Sequence, residues 1–141
     1  MLLGEYQHTV DEKGRVAVPA KFRKFLSGGV VGTRGMDSCL YLYPMDEWEK
    51  LAEKLAKLPI NQADSRAFSR LMLAGASHAD IDTQGRILLP DYLRNYAGIK
   101  SKAVLVGLHN RAEIWDEGRW QQYRQSVEQK SDEIAERLGG L

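Results

Sequence analysis

Two arginines follow a glycine turn at matching places in the chain, and they are its most promising ligand-binding groups. The segments are DEKGR at residues 11–15 and DTQGR at residues 82–86. The planar guanidinium of an arginine binds a phosphate, or O6 and N7 of guanine, through two parallel N–H donors. Arg15 and Arg86 are therefore candidate nucleic-acid contacts, and Lys13 adds positive charge to the first turn.

An aspartate opens each of these turns, and a glycine precedes each arginine. Two carboxylates on equivalent turns could act as a general acid and base. A tight turn, however, needs residues that tolerate positive φ, which Gly14 and Gly85 supply. It also needs acceptors for its backbone N–H groups, which Asp11 and Asp82 supply. We therefore predict that the aspartates shape the turns and do not catalyse a reaction.

The two turns belong to a longer internal repeat with an offset of 71 residues. The segment VAVPAKFRKF at 16–25 corresponds to ILLPDYLRNY at 87–96, so a proline and a second arginine recur in register. In each copy an alternating strand follows the turn, and the proline begins a helix. Glycines suited to the C-terminal ends of these helices follow at Gly28 and Gly98.

Further strands and helices complete each copy. Acidic residues at Asp46 and Asp116 favour the positive N-terminal ends of two longer helices, and a glycine-rich loop is expected at 32–35. The predicted strands are 8–10, 30–31, 40–43, 79–81, 104–106 and 112–115. The predicted helices are 19–26, 46–58, 61–74 and 90–97.

Because each copy is small, we predict that neither copy folds stably without the other. Units of about seventy residues have little core of their own, and their short strands would leave open edges. Exchange of hairpins across a pseudo-two-fold axis would bury both apolar faces. The helices that carry Trp48 and Trp120 could then pack against neighbouring chains, or both tryptophans could belong to an ordinary intrachain core.

Composition excludes several classes of function. A net charge of +1 over 141 residues excludes a protein that coats DNA by bulk charge. A single cysteine, Cys39, and three histidines at unmatched positions predict no disulfide and no metal site. Motifs of common hydrolases are absent, and the glycines of 28–35 lack the lysine of a phosphate-binding loop. We expect no enzyme, no cofactor, no small-molecule substrate and no membrane contact, and hence a cytoplasmic protein.

Charge is distributed unevenly along the chain. Basic residues gather around the turns and the helices behind them, whereas acidic residues outnumber basic ones over 112–141. An oligomer would repeat the basic side, which predicts strong and salt-sensitive binding to nucleic acid. The alternative is a ring-forming interaction protein that binds a protein partner, for which little salt dependence is expected.

The duplicated turn, with its apolar–proline–helix continuation, resembles the AbrB/SpoVT swapped-hairpin fold, and nearly the whole chain resembles the MraZ family. Other motifs that carry the resemblance are GEY at 4–6, LYLYP at 40–44, RLMLAGA at 70–76, YAG at 96–98 and EIWD at 113–116. One departure is His78, where many members carry an acid, and another is Gln84 at the position of Lys13. The two turns are therefore expected to contribute unequally.

The resemblance implies an α+β fold in which two tandem AbrB-like swapped-hairpin units form a pseudo-two-fold double-ψ-like β-barrel with flanking helices. It implies a sequence-specific DNA-binding transcriptional regulator, usually a repressor, of the division and cell wall gene cluster. Its partners would be promoter DNA, bound as direct repeats upstream of its own operon at the nucleoid, and further copies of itself in a ring. The expected DNA contacts are Arg15, Arg86, Lys13 and Gln84, and the turn-structuring residues are Asp11, Gly14, Asp82 and Gly85. The expected parts are a first unit at 1–58, a connecting helix at 59–75, a second unit at 76–125 and a helical tail at 126–141.

Overall fold

A computed structural model describes residues 1–140, which form eight strands and six α-helices. Leu141, the last residue of the predicted tail, lies outside the described residues. The strands are β1 (Leu2–Thr9), β2 (Arg15–Ala17), β3 (Val30–Arg34), β4 (Leu40–Pro44), β5 (Ser77–Ala79), β6 (Arg86–Leu88), β7 (Lys102–His109) and β8 (Ala112–Asp116). The helices are α1 (Ala20–Leu26), α2 (Met45–Ala56), α3 (Ala63–Ser69), α4 (Asp91–Ala97), α5 (Glu117–Gln129) and α6 (Ser131–Leu138).

The first strand of each copy pairs with the other copy. β1 lies antiparallel to β7, from Leu2 opposite His109 to Thr9 opposite Lys102. β5 lies antiparallel to β3 in the same way. The resulting six-stranded sheet has the order β1-β7-β8-β4-β3-β5, so the two copies meet at its centre and exchange strands at its edges. The expected exchange between the copies is thus present within one chain.

The α+β class with antiparallel sheets is confirmed, but the predicted double-ψ-like β-barrel is not observed. Within residues 1–140 the six-stranded sheet is open, with β1 and β5 at its edges. β2 and β6 form a separate two-stranded ribbon, joined to the end of β1 by a bridge between Val10 and Val16. Each ribbon strand has only three residues, and these residues pair with the other ribbon strand and not with a strand of the larger sheet.

The two copies share one hydrophobic core because each contributes a ribbon strand and a short helix to it. Val16 and Ile87 point inward from the ribbon and are fully buried. Phe22 of α1 and Leu93 of α4 cover the same core. Its buried members are Leu2, Val10, Val16, Val18, Phe22, Leu26, Val30, Leu40, Leu42, Ile87, Leu89, Leu93, Ala97, Ile99, Ala103, Leu105, Ala112 and Ile114.

The helices predicted after the two prolines are confirmed, with one change at a C-terminal end. Pro19 and Pro90 lie directly before α1 and α4 with φ of −52° and −59°. Gly98 ends α4 in the left-handed conformation, at φ 65°. At the end of α1, however, the glycine with positive φ is Gly29, at 105°, and not the predicted Gly28.

The loop predicted at 32–35 is wrong, because β3 continues through Arg34. Its residues pair with β4, with Thr33 opposite Tyr41. Thr33 is fully buried, and its hydroxyl donates to the Met72 carbonyl at 2.6 Å. The connection instead passes through a 3₁₀ turn, Met36–Ser38, so Gly32 lies in a strand and the segment is not a phosphate-binding loop.

The longer helices follow the predicted acidic positions. Asp46 lies in the first turn of α2, and the Asp116 carboxylate accepts the Arg119 N–H at 3.2 Å at the start of α5. The connecting helix is present as α3, which continues into a π-helical turn, Arg70–Ala74. None of the helices in residues 1–140 is both long and apolar enough to span a membrane.

Candidate nucleic-acid interface

The first turn is organised by the Asp11 carboxylate. Its Oδ1 accepts the backbone N–H groups of Lys13 at 3.0 Å and Arg15 at 2.9 Å. The Asp11 carbonyl accepts the N–H of Gly14 at 3.0 Å, and Gly14 has φ of 88°. A side chain other than glycine would be strained at that φ, so the turn needs both the acid and the glycine.

The second turn repeats this arrangement in the same detail. Oδ1 of Asp82 accepts the N–H groups of Gln84 and Arg86, both at 2.9 Å. The Asp82 carbonyl accepts the N–H of Gly85 at 2.9 Å, with φ of 77° at the glycine. The two turns therefore present Lys13 and Gln84 at equivalent, exposed positions.

These hydrogen bonds keep both carboxyl groups ionised. The backbone N–H of Arg15 is the largest cause that lowers the pKa of Asp11, and the backbone N–H of Arg86 has the same effect on the pKa of Asp82. Partial burial opposes the effect in each turn without reversing it. A carboxylate held ionised in this way is a fixed acceptor and a poor general acid.

The ribbon of β2 and β6 brings the two turns together. Arg15 lies opposite Leu88, and Ala17 lies opposite Arg86. Because directly opposed residues of an antiparallel pair share a face, these four residues form one surface, here called the ribbon face. The intervening Val16 and Ile87 point into the core, so the ribbon face points outward.

The two predicted arginines converge on one carboxylate. Nε of Arg15 lies 2.7 Å from Oδ2 of Asp11, and Nη1 of Arg86 lies 3.8 Å from the same oxygen. Nε of Arg86 also lies 3.1 Å from Oδ2 of Asp82. About a third of each arginine side chain is exposed, at 33% and 28%. The aspartates thus orient two guanidinium groups whose outer edges stay open to a ligand.

Reciprocal backbone hydrogen bonds lock each turn to the other copy. The N–H of Val18 donates to the carbonyl of Gly85 at 2.8 Å. The N–H of Leu89 donates to the carbonyl of Gly14, also at 2.8 Å. Neither turn is a free loop, because each is held by the strand that leaves the opposite turn.

Two further arginines, which belong to the basic residues of the helices behind the turns, are structural. Nε of Arg23 donates to the Val18 carbonyl, and Nε of Arg94 donates to the Leu89 carbonyl, both at 2.9 Å. We call Arg23 and Arg94 the clamp arginines, because each holds the residue that binds the other copy's turn. Their recurrence in register within the repeat was the available signal, although it does not reveal which atoms they bind.

The two tryptophans predicted as interface residues, Trp48 and Trp120, pack against aromatic side chains of their own chain. Trp120 packs edge-on against Trp115, with ring centroids 5.3 Å apart, and its Nε1 donates to Glu5 Oε1 at 2.9 Å. Trp48 packs against Tyr43 with centroids 5.9 Å apart. Both are half-buried and have intrachain contacts while keeping an exposed portion.

Other candidate reactive groups do not form a site. Burial raises the pKa of the Cys39 thiol, so this cysteine is a core residue and not a nucleophile. Across residues 1–140 no group of three or more His, Cys, Asp or Glu side chains is arranged to hold a metal ion. The ribbon face is therefore the one assembly of predicted site residues that the described structure brings together.

Comparison with known proteins identifies the family. The model of the MraZ protein family matches residues 1–71 and, a second time, residues 72–140. The transcriptional regulator MraZ of Natranaerobius thermophilus is 49% identical over 138 residues, which are 98% of this chain and 96% of that protein. The transcriptional regulator MraZ of Syntrophomonas wolfei is 46% identical over 141 residues, which are 100% of this chain and 99% of that protein. The solution structure of PHS018 from Pyrococcus horikoshii is similar with a TM-score of 0.34 and 18% identity, over 81% of this chain and 88% of that one.

The double match accounts for the internal repeat. Its first segment contains the turn at 11–15, and its second contains the turn at 82–86. The relatives align over nearly their whole length, and both are transcriptional regulators by name. The chain therefore belongs to the MraZ family of transcriptional regulators.

Proposed function

We propose that the chain is a sequence-specific DNA-binding regulator whose ribbon face contacts the duplex. The observation that carries this proposal is the convergence of Arg15 and Arg86 on the Asp11 carboxylate, on an outward ribbon. The major groove of B-DNA admits a two-stranded ribbon, and arginine is its commonest specific reader of guanine. Lys13 and Gln84, one on each turn, reach toward the flanking phosphates or bases.

The proposed target is a set of direct repeats upstream of the chain's own operon, in the division and cell wall gene cluster. Binding there represses transcription by occupying the promoter, at the nucleoid in the cytoplasm. This assignment comes from the family resemblance and is supported by the regulator names of the relatives. The proposed parts are two AbrB-like units at 1–58 and 76–125, a connecting helix at 59–75 and a tail from residue 126.

A ring of copies would present the ribbon face repeatedly along the DNA. Contacts between unlike surfaces generate rings when the rotation between copies closes. The exposed portions of Trp48 and Trp120 are the proposed contacts, because aromatic groups are enriched in interfaces. Each further ribbon face raises the effective local concentration of the next, so modest charge per chain suffices for tight binding.

The test measures binding to the chain's own upstream DNA and to scrambled DNA across a salt series. We expect tight binding to the upstream duplex only, with a steep fall in affinity as salt rises. Arg15→Ala and Arg86→Ala should each weaken specific binding by roughly 5- to 150-fold, which corresponds to loss of one bidentate base contact. The matched control is Arg137→Ala, since this arginine in α6 is 75% exposed and far from the repeat turns in sequence.

Arg15→Lys separates the effect of the positive charge from that of the paired guanidinium N–H donors. Lysine keeps the charge but lacks the planar fork, so specificity should fall while the salt dependence stays. Ring size, measured by light scattering, should be unchanged in all these variants. Equal binding of wild type and Arg15→Ala to the upstream DNA would contradict the proposal, and weak binding of wild type to both DNAs would move the function to a protein partner.

A further inference from the structure

The ribbon face is not symmetric, although the turns on either side of it are. Leu88 occupies the position in the second copy that Ala17 occupies in the first. Its side chain is 53% exposed, whereas its neighbours Ile87 and Leu89 are buried. A large apolar side chain therefore projects from the charged surface at one end of the ribbon face only.

The strand register places this leucine beside one of the two proposed DNA contacts. Leu88 lies directly opposite Arg15, and such partners have Cβ atoms about 4.5–5.5 Å apart. Ala17 lies opposite Arg86 in the same manner, with only a methyl group in the corresponding place. Any ligand that Arg15 holds is therefore within reach of Leu88, and a ligand held by Arg86 has no equivalent apolar neighbour.

The chemistry of the major groove supplies one partner for such a side chain. Its edges carry hydrogen-bonding groups and a single apolar group, the C5-methyl of thymine. An arginine beside an exposed aliphatic side chain thus matches a guanine or phosphate beside a thymine. The contact is favourable only if the Leu88 side chain and the thymine methyl group meet without water between them, because the gain comes from removing apolar surface from water.

We propose that Leu88 is a specificity-determining residue that packs on the C5-methyl of a thymine next to the group held by Arg15. This inference rests on the DNA-binding function proposed above. Because Ala17 offers no matching contact, the two ends of the pseudo-symmetric ribbon differ. The ribbon therefore binds its DNA site in one orientation. A directional reader fits sites that repeat head to tail, whereas a symmetric ribbon would fit a palindrome.

The experiment replaces each thymine of the bound upstream site by uracil, one at a time, which removes only the methyl group. Wild type should lose about fourfold in affinity at one position per bound ribbon, the equivalent of one buried methyl group. Leu88→Ala should bind more weakly to the thymine site and show no further loss on the uracil site. Its salt dependence should equal that of wild type, because no charge has changed.

Two variants make the result specific. Ala17→Leu adds the missing side chain to the first copy and should create sensitivity to a second thymine at the pseudo-symmetric position. Leu3→Ala is the matched control, since Leu3 is exposed to a similar degree, 57%, on β1. It should leave every thymine-to-uracil effect unchanged.

The outcomes separate this inference from the proposed function. A thymine effect that persists in Leu88→Ala would overturn the role of Leu88 alone. So would the absence of a thymine effect in wild type while Arg15→Ala still weakens binding to the upstream DNA. A smaller ring in Leu88→Ala would also overturn it, by assigning the side chain to a contact between copies. Failure of wild type to bind the upstream DNA would refute the proposed function itself.

Discussion

Replacement of Gly85 by alanine tests the exchange of turns between the copies. A Cβ at Gly85 would overlap with Cζ of Arg23 and lie 2.5 Å from its Nη2, so the clash is with a clamp arginine of the other copy. The glycine also has φ of 77°, which disfavours any L side chain. Alanine must therefore both strain the turn and push the Arg23 guanidinium away from the Val18 carbonyl.

The expected cost is the sum of these two effects. Left-handed backbone at a residue with Cβ costs roughly 1–2 kcal/mol. Loss of a hydrogen bond to a charged donor adds about 1.5 kcal/mol. Gly85→Ala should therefore lower the free energy of unfolding by about 2.5–3.5 kcal/mol, measured by urea denaturation at fixed protein concentration.

A double-mutant cycle identifies the partner. Arg23→Ala removes the clashing group, so Gly85→Ala in that background should cost only the backbone strain, leaving a coupling of about 1.5 kcal/mol. Gly85→Ala and Arg94→Ala should instead add within about 0.5 kcal/mol. Coupling of Gly85 to Arg94 and not to Arg23 would refute the exchanged arrangement. Gly28→Ala is the control, because a Cβ there meets nothing within 4 Å and φ is not in the left-handed region.

Further predictions concern a buried hydroxyl and two titrating groups. Thr33→Val should destabilise the chain by about 1–3 kcal/mol in urea, because the Met72 carbonyl loses its donor, whereas Thr33→Ser should cost less. Burial, and then the charge of Arg23, lowers the pKa of His8 below 6.5, so the unfolded chain takes up the proton first and stability should fall as pH drops below 6.5 in wild type but not in His8→Gln. Because the pKa of Asp11 is lowered in the folded chain, its carboxylate stabilises the first turn fully above pH 3.8, and this stabilisation is lost as pH falls through the pKa of the folded state. NMR titration of the turn amides should therefore show a midpoint below pH 3.8.

Local structure around the turns could be predicted from the sequence because each signal acts over a few residues. The spacing of Asp11, Gly14 and Arg15 contains the acceptor, the positive φ and the donor that define the turn. Pro19 likewise fixes the start of α1 within one residue. These features depend on neighbours in the chain, and the repeat supplied each of them twice.

Features that depend on pairing across the chain were harder to predict. β1 runs over Leu2–Thr9 and not only 8–10, because β7 supplies partners along its whole length. Arg34 extends β3 into the expected loop for the same reason. The Val18 carbonyl that accepts from Arg23 is only five residues away, but the turn that Val18 binds is that of Gly85, more than sixty residues away. The charge of Arg23 was therefore visible in the sequence, and its part in the exchange between the copies was not.

The clamp arginines explain which residues can differ between the two copies. Arg23 holds the strand that binds the second turn, and Arg94 holds the strand that binds the first, so a change in one copy disturbs the turn of the other. Positions 17 and 88 of the ribbon face have no such constraint, because neither an alanine methyl group nor the exposed Leu88 side chain donates a hydrogen bond that holds a strand or a turn. Ala17 and Leu88 differ there without any effect on the exchange. A duplicated scaffold can thus keep two equivalent arginines in fixed positions while the residues beside them diverge, and a ligand with a direction can then be read by a nearly symmetric surface.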